Sequence, residues 1–186
     1  EAMFGGLVGW LLAAAVVLIP TFFVGRYAQT RPPVLTSPRA KSGFGGVMWL
    51  FLAGQIGWLL TLVWQTAYMT SELWFMLARN SQTMQAAFVA VVPGLVSIII
   101  GVWVIWQIAA KRSPNAVAFA VVGVWLMGPC VAMLQSWYFG LALTELSLIQ
   151  LFGWSIGWSL YFALSPRVAL TYGTPRGKRI AEGLEI

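Results

Sequence analysis

Five long apolar stretches alternate with short polar segments along this chain. Each stretch is roughly 20 residues or longer, the length that an α-helix needs to cross the hydrocarbon core of a bilayer. No charged residue falls inside any of the five. The pattern predicts an all-α, polytopic membrane helix bundle that forms a single domain over residues 1–186. Its five transmembrane helices are expected at about residues 4–25, 43–67, 84–110, 116–138 and 147–165.

The positive charges predict how this bundle is oriented. Of the eleven Lys and Arg residues, ten fall in every second polar segment and only Arg79 falls in the others. Loops rich in Lys and Arg remain on the cytoplasmic side of a membrane. We therefore expect a multi-pass membrane protein with its N-terminus outside and its C-terminus in the cytoplasm.

Two polar segments suggest further local structure. Ser71 is suited to cap a short helix that has Glu72 in its first turn. The apolar residues that follow predict an interfacial helix at about residues 71–79, lying on the outer leaflet. Residues 168–186 show no apolar period, so we expect a mobile C-terminal tail.

Composition excludes several classes of function. With 60% hydrophobic and 9% charged residues, the chain is unlike a soluble domain. Its net charge of +6 lies in short loops beside apolar spans, so we expect contact with anionic lipid headgroups and no nucleic-acid partner. The chain has no His and no Asp, which excludes imidazole-ligated haem, a His-based metal site and a Ser-His-Asp triad. We expect no enzyme activity, no metal and no cofactor, and a pump is disfavoured because no span carries an ionisable group.

Two prolines suggest a crevice inside the bundle. Pro93 and Pro129 each lie nine residues from the predicted outer end of their spans, roughly 13–14 Å deep. Proline kinks a helix and frees a carbonyl, so two kinks at one depth predict an opening. Kinks filled by neighbouring side chains are the alternative. The candidate crevice residues, including a glutamine at the middle of the second span, are Gln55, Pro93, Gly94, Pro129 and Cys130.

Pairs of small residues four positions apart suggest close helix packing. In lipid, small residues allow two helix backbones to approach closely. Such faces pack either within the chain or against another subunit, and the sequence leaves both interpretations open. The three pairs are Gly5 with Gly9, Gly153 with Gly157, and Ser155 with Ser159.

Two stretches resemble a bacterial inner-membrane family, the domain of unknown function twenty-five sixty-nine. Gly43-Phe44-Gly45-Gly46, followed by Met48-Trp49-Leu50, is similar to its glycine-rich start. The aromatic segment from Trp154 to Val168, with Tyr161-Phe162 and Ser165-Pro166-Arg167-Val168, is similar to its ending. The likeness covers residues 43 to about 172. It implies a four-span core in the bacterial inner membrane, and it brings no activity and no catalytic residues.

The tryptophan content and the five spans also resemble the tryptophan-rich sensory proteins, which bind porphyrins and sterols. The proline- and tryptophan-rich loop of those proteins and the Gly-Pro-x-Trp motif that follows it are not evident in this sequence, where RPP at 31–33 followed by Trp49 is a poor substitute. Our leading hypothesis is a non-catalytic accessory or scaffold subunit of a larger membrane complex. Its expected partners are the lipid bilayer and other membrane subunits, or a second copy of the chain. The alternatives are a small-molecule or lipid-binding bundle and a small facilitative transporter.

Overall fold

The computed structural model describes residues 2–77, 84–140 and 142–184. In these ranges the chain is helical and contains no strand. The prediction of an all-α bundle with five membrane-spanning helices is confirmed, whereas the orientation of its termini stays a prediction. The apolar segments long enough to cross a membrane are Leu11–Thr30, Val47–Trp74, Ala87–Ala110, Pro114–Phe139 and Glu145–Leu164.

The first two helices are longer than the spans within them. They are α1 (Ala2–Thr30) and α2 (Val47–Leu77). The expectation of a separate interfacial helix is wrong for residues 71–77, which continue α2 without a break. No proline interrupts this stretch, and the Ser71 hydroxyl donates 2.7 Å backwards to the Tyr68 carbonyl instead of capping a new helix. The rest of that prediction, at positions 78 and 79, lies outside the described residues.

The middle of the chain forms α3 (Met84–Ala110), α4 (Pro114–Trp125), a π turn (Leu126–Cys130) and α5 (Val131–Phe139). The π turn contains Pro129, which has no N–H to donate to the preceding turn. The helix widens there by one residue. Pro93, in contrast, lies within α3, and that helix has no such change.

The last spanning helix is α6 (Glu145–Leu164), which begins after a Thr144 cap. Two short helices follow, α7 (Pro166–Tyr172) and α8 (Pro175–Ala181). The prediction of a mobile tail over 168–186 is therefore wrong for residues 168–181. In each short helix a Ser or Thr caps the first turn and a proline takes the first helical position, a combination that starts helices.

The two short helices pack onto the end of the bundle that carries most of the cations. Val34 and Leu35 donate backbone hydrogen bonds of 3.1 and 3.0 Å to the carbonyls of Thr171 and Leu170. The Gly43 N–H donates 2.9 Å to the Thr171 hydroxyl. These bonds join the α1–α2 connection to α7. We call this region, residues 31–46, 111–113 and 165–184, the basic end.

Aromatic rings join α2 and α6 on the side nearer the basic end. The Phe51 ring lies 4.8 Å from Phe162 and 4.9 Å from Trp158, centroid to centroid, in edge-to-face contacts. Such pairs contribute about 0.5–1.5 kcal/mol each beyond the area they bury. Among the described residues further from the basic end, no comparable ring cluster fills the space between α2 and α6, and the cavity described next lies there.

Candidate functional site

A cavity of about 840 Å³ lies between α2, the π turn and α6. Its α2 wall includes two glycines, Gly54 and Gly57. A Cβ at Gly54 would overlap the ring of Trp154, so this glycine lets the tryptophan lie directly on α2. The remaining α2 residues of the wall are Gln55, Trp58 and Thr61.

The other walls come from the π turn and from α6. Val124, Met127 and Gly128 line the side formed by α4 and the π turn. Gly128 precedes Pro129, so the widened turn borders the cavity directly. The lining residues on α6 and just before it are Leu143, Ser147, Ile149, Gln150, Leu151, Trp154 and Ser155.

Gln55 is the buried residue of the described cavity lining whose hydrogen bonding is incomplete. It is about 1% exposed, and its Oε1 has no hydrogen-bond partner. A buried polar atom without a partner costs about 1–3 kcal/mol, and most such atoms in proteins are bonded to protein or water. Gln55 lies eight residues after Val47, about 12 Å along α2 and near the middle of a bilayer core.

The hydroxyl groups around the cavity are already bonded within the chain. Thr61 donates 2.9 Å to the Gly57 carbonyl, and Ser155 donates 3.0 Å to the Leu151 carbonyl. Ser147 shares a 2.7 Å hydrogen bond with the Thr144 hydroxyl. Among the described residues that line the cavity none is charged. The site therefore offers an apolar surface with one unmet polar group, and no acid or base for catalysis.

The predicted crevice residues separate in the structure. Gln55 lines the cavity, but Pro93, Gly94, Pro129 and Cys130 line neither this cavity nor the second one described below. Gly94 packs on α2, where a Cβ would come 2.5 Å from the Thr66 hydroxyl. Pro129 is buried and Cys130 is exposed. Pro93 lies in α3 and Pro129 in the π turn, whereas the cavity lies beside α6 and not between the third and fourth spans.

Sequence reasoning missed most of the cavity wall. Gln55 was found because a glutamine in the middle of an apolar span is conspicuous. The available signal for the rest was the pair of glycines beside it, Gly54 and Gly57, since small residues mark places where a large side chain approaches a helix. The contribution of Trp154 carried no such signal.

A second cavity of about 600 Å³ lies between α2 and α3, away from the basic end. It is shallower and open. The Thr70 hydroxyl donates 2.7 Å to the Thr66 carbonyl, and none of the described buried polar atoms without a hydrogen-bond partner belongs to this lining. The lining residues are Val63, Thr66, Ala67, Thr70, Ser71, Trp74, Leu95 and Ile98.

The small-residue faces divide into packed and open ones. Ser155 and Ser159 face α4, and the Trp125 Nε1–H donates 3.0 Å to the Ser159 hydroxyl. Gly153 and Gly157 are exposed, and a Cβ on either would meet no atom within 4 Å.

For the pair of glycines on α1, the surroundings are described at Gly9 alone. Gly9 also has open space around it. Gly5 lies within α1. Within the chain, then, the serine face is used for helix packing, while the faces of Gly9 and of the α6 glycines are uncovered.

A half-buried arginine organises the basic end. Arg112 donates 2.8 Å to the carbonyl of Ile108 and 2.5 Å to that of Ala28. These carbonyls belong to the last turns of α3 and α1, where the helix dipoles place partial negative charge. Tyr172 of α7 donates 2.7 Å to the same Ile108 carbonyl, and the guanidinium lies 5.3 Å from its ring centre. One side chain thus fastens three helices.

Burial changes the acidity of both groups. Desolvation lowers the pKa of Arg112, an effect that the neighbouring Tyr172 partly offsets. Burial raises the pKa of Tyr172, and the charge of Arg112 partly opposes that rise. Both shifts reflect a structural contact at the end of the bundle. At the rise per residue of an α-helix, Gln55 lies more than about 10 Å further along α2, so this contact is separate from the cavity.

The described residues bring together no group of three His, Cys, Asp or Glu side chains that could hold a metal ion. The candidate functional site is the cavity between α2, the π turn and α6, which is more enclosed than the cavity between α2 and α3. Comparison of the chain with protein-family models, with curated proteins and with solved structures finds no match, so both family resemblances stay predictions.

Proposed function

We propose that this protein is a non-catalytic membrane bundle that binds a small, largely apolar molecule between α2, the π turn and α6. The observation that carries the proposal is the 840 Å³ cavity in which the buried Gln55 lacks a partner. Ligand sites in proteins are typically apolar clefts of about 300–1,000 Å³ with a few placed polar groups. The cavity meets both descriptions.

The walls of the cavity favour binding over a simple packing defect. Trp58 and Trp154 supply rigid apolar surface, and both are held by helices that meet in the aromatic cluster nearer the basic end. Gly54 lets Trp154 lie directly on α2, and Gly128 of the π turn adds no side chain to its wall. A space of this size in the bilayer interior fills with an apolar molecule, because empty volume forfeits the dispersion contacts of its lining.

Gly128→Leu tests this proposal. A Cβ at Gly128 meets Leu151 and Ser155 at 3.8 Å, an ordinary contact, so the backbone accepts a side chain and leucine extends into the cavity. We expect at least tenfold less bound small molecule per protein, measured by native mass spectrometry after purification in mild detergent. Gly153→Leu is the matched control, since it adds the same side chain on an open face. An identical bound set in wild type and Gly128→Leu would contradict the proposal.

A second candidate function is the accessory or scaffold subunit of a larger membrane complex, in the bacterial inner membrane with its C-terminus cytoplasmic. The open α6 face at Gly153 and Gly157 favours it, because small residues suit close helix approach. For this function the two variants exchange roles. Gly153→Leu should reduce severalfold the amount of partner protein cross-linked to the chain at native expression level, and Gly128→Leu should leave that amount unchanged. A chain that cross-links to no protein at that level would exclude this function.

A further inference from the structure

The charge of the ligand follows from the cavity lining. No described residue that lines the cavity is charged, and the site lies among membrane-spanning helices. Burying an ionised group without a partner is costly enough that such groups neutralise or stay in water. A carboxylate, a phosphate or an ammonium would find no counter-charge here. The lining therefore selects an uncharged molecule.

The position of Gln55 determines where the polar group of that molecule lies. Near the far end of the cavity from the basic end, Ser147 is bonded to Thr144, and Gln150 is exposed. Thr61 is exposed and donates to the Gly57 carbonyl, and the buried Ser155 donates to the Leu151 carbonyl. Of the described residues that line the cavity, Gln55 is the buried one that has unused bonding capacity.

We propose that the ligand is an uncharged amphiphile, an alcohol or a primary amide, bound with its hydrogen-bond donor innermost at Gln55 and its apolar part directed towards Ser147. This deepens the proposed function and rests on it. The orientation is the reverse of a lipid in the surrounding bilayer, whose polar group lies at the interface.

The geometry allows this contact with little rearrangement. Gln55 Oε1 is enclosed by its neighbours, but the terminal torsion of a glutamine is broad and soft, so the amide turns towards the cavity at small cost. An amide offers both a donor and an acceptor, and a hydroxyl satisfies either one. From Ser147 to Ser155 the α6 wall covers eight residues, about 12 Å, which accommodates a short alkyl chain or a compact ring system.

The ligand class is tested with three probes of equal chain length: n-decanol, n-decanoate at pH 8 and n-decane. Native mass spectrometry of the purified protein gives the bound fraction of each. We expect n-decanol to bind about tenfold better than n-decane, equivalent to about 1.4 kcal/mol, and n-decanoate not to bind. Gln55→Met keeps the size and unbranched shape of the side chain, and should remove the preference for the alcohol. Gln150→Met, the matched change at an exposed lining position, should keep it.

Orientation is tested on the wild-type protein, independently of any variant. A decanol analogue with a diazirine beside the hydroxyl should label Gly54, Gln55 or Trp154, and one with a diazirine at the chain terminus should label Leu143 or Ser147. The reverse labelling would overturn the inference. Equal binding of n-decanol and n-decane would overturn it too, while leaving the proposed function standing. Failure of all three probes to bind would count against both.

Discussion

Replacing Arg112 with alanine should destabilise the protein by about 3 kcal/mol. The side chain donates to the carbonyls of Ala28 and Ile108 and lies against the ring of Tyr172. Hydrogen bonds from a charged donor contribute about 1.5–3 kcal/mol each, and carbonyls left without a donor add a desolvation cost. Because Tyr172 still donates to Ile108, the Ala28 carbonyl of α1 loses the most.

The measurement is thermal unfolding in detergent together with limited proteolysis of the basic end. Arg112→Ala should lower the midpoint and expose residues 165–184 to cleavage before the spanning helices unfold. Lys111→Ala is the matched control, since it removes the same charge from the same connection and the Lys111 side chain is exposed. Equal effects of the two variants would show that charge at this end, and not the Arg112 contacts, stabilises the fold.

Gly177→Ala should cost about 2–3 kcal/mol, an unusually large effect for the addition of one methyl group. A Cβ at Gly177 would overlap the carbonyl group of Ala169, a backbone atom pair that cannot rotate aside as a side chain could. Overpacking that forces a backbone shift typically costs about 1–3 kcal/mol. The strain must separate α8 from α7, because Gly177 is buried between them.

Hydrogen exchange of the α7 and α8 amides measures this effect directly. Exchange should accelerate in Gly177→Ala and stay slow in α2 and α6. Gly153→Ala is the control, since a methyl group there enters open space and alanine favours helix over glycine. Unchanged protection of α8 in Gly177→Ala would contradict the packing described for the basic end.

The five spans were predictable because the bilayer imposes a simple condition on sequence. Every spanning segment must be long, apolar and free of charge, and this chain satisfies that condition five times. The grouping of cations likewise predicted which connections share one end. In the structure Arg112, from the second of these connections, bonds to Ala28 beside the first.

The location of the cavity was not predictable in the same way. Depth along a helix can be counted from the sequence, but the direction in which a residue faces depends on how each helix is rotated against its neighbours. Counted along the sequence, Pro93 and Pro129 lie equally far from the predicted ends of their spans. This count does not show that Gly128, beside Pro129, faces α6. Helices α2 and α6 are far apart in sequence, so nothing local indicated that their walls would face one space.

Two dipeptides in the sequence indicate where the short helices after α6 begin. Ser165-Pro166 and Thr174-Pro175 are each a capping residue followed by a proline, which favours a helix start. The helices are only seven residues long and show too few turns for an apolar period to be recognised.

The hydrogen bonds between α7 and the α1–α2 connection can form only late in the synthesis of the protein. Val34, Leu35 and Gly43 leave the ribosome long before their partners Leu170 and Thr171, and the bond between Gly43 and Thr171 spans 128 residues. All five spans are therefore translated before this connection can acquire its final hydrogen bonds, and contacts of such long sequence separation form late. Insertion into the bilayer and closure of the fold are separate events, since residues translated after the fifth span complete the connection between α1 and α2.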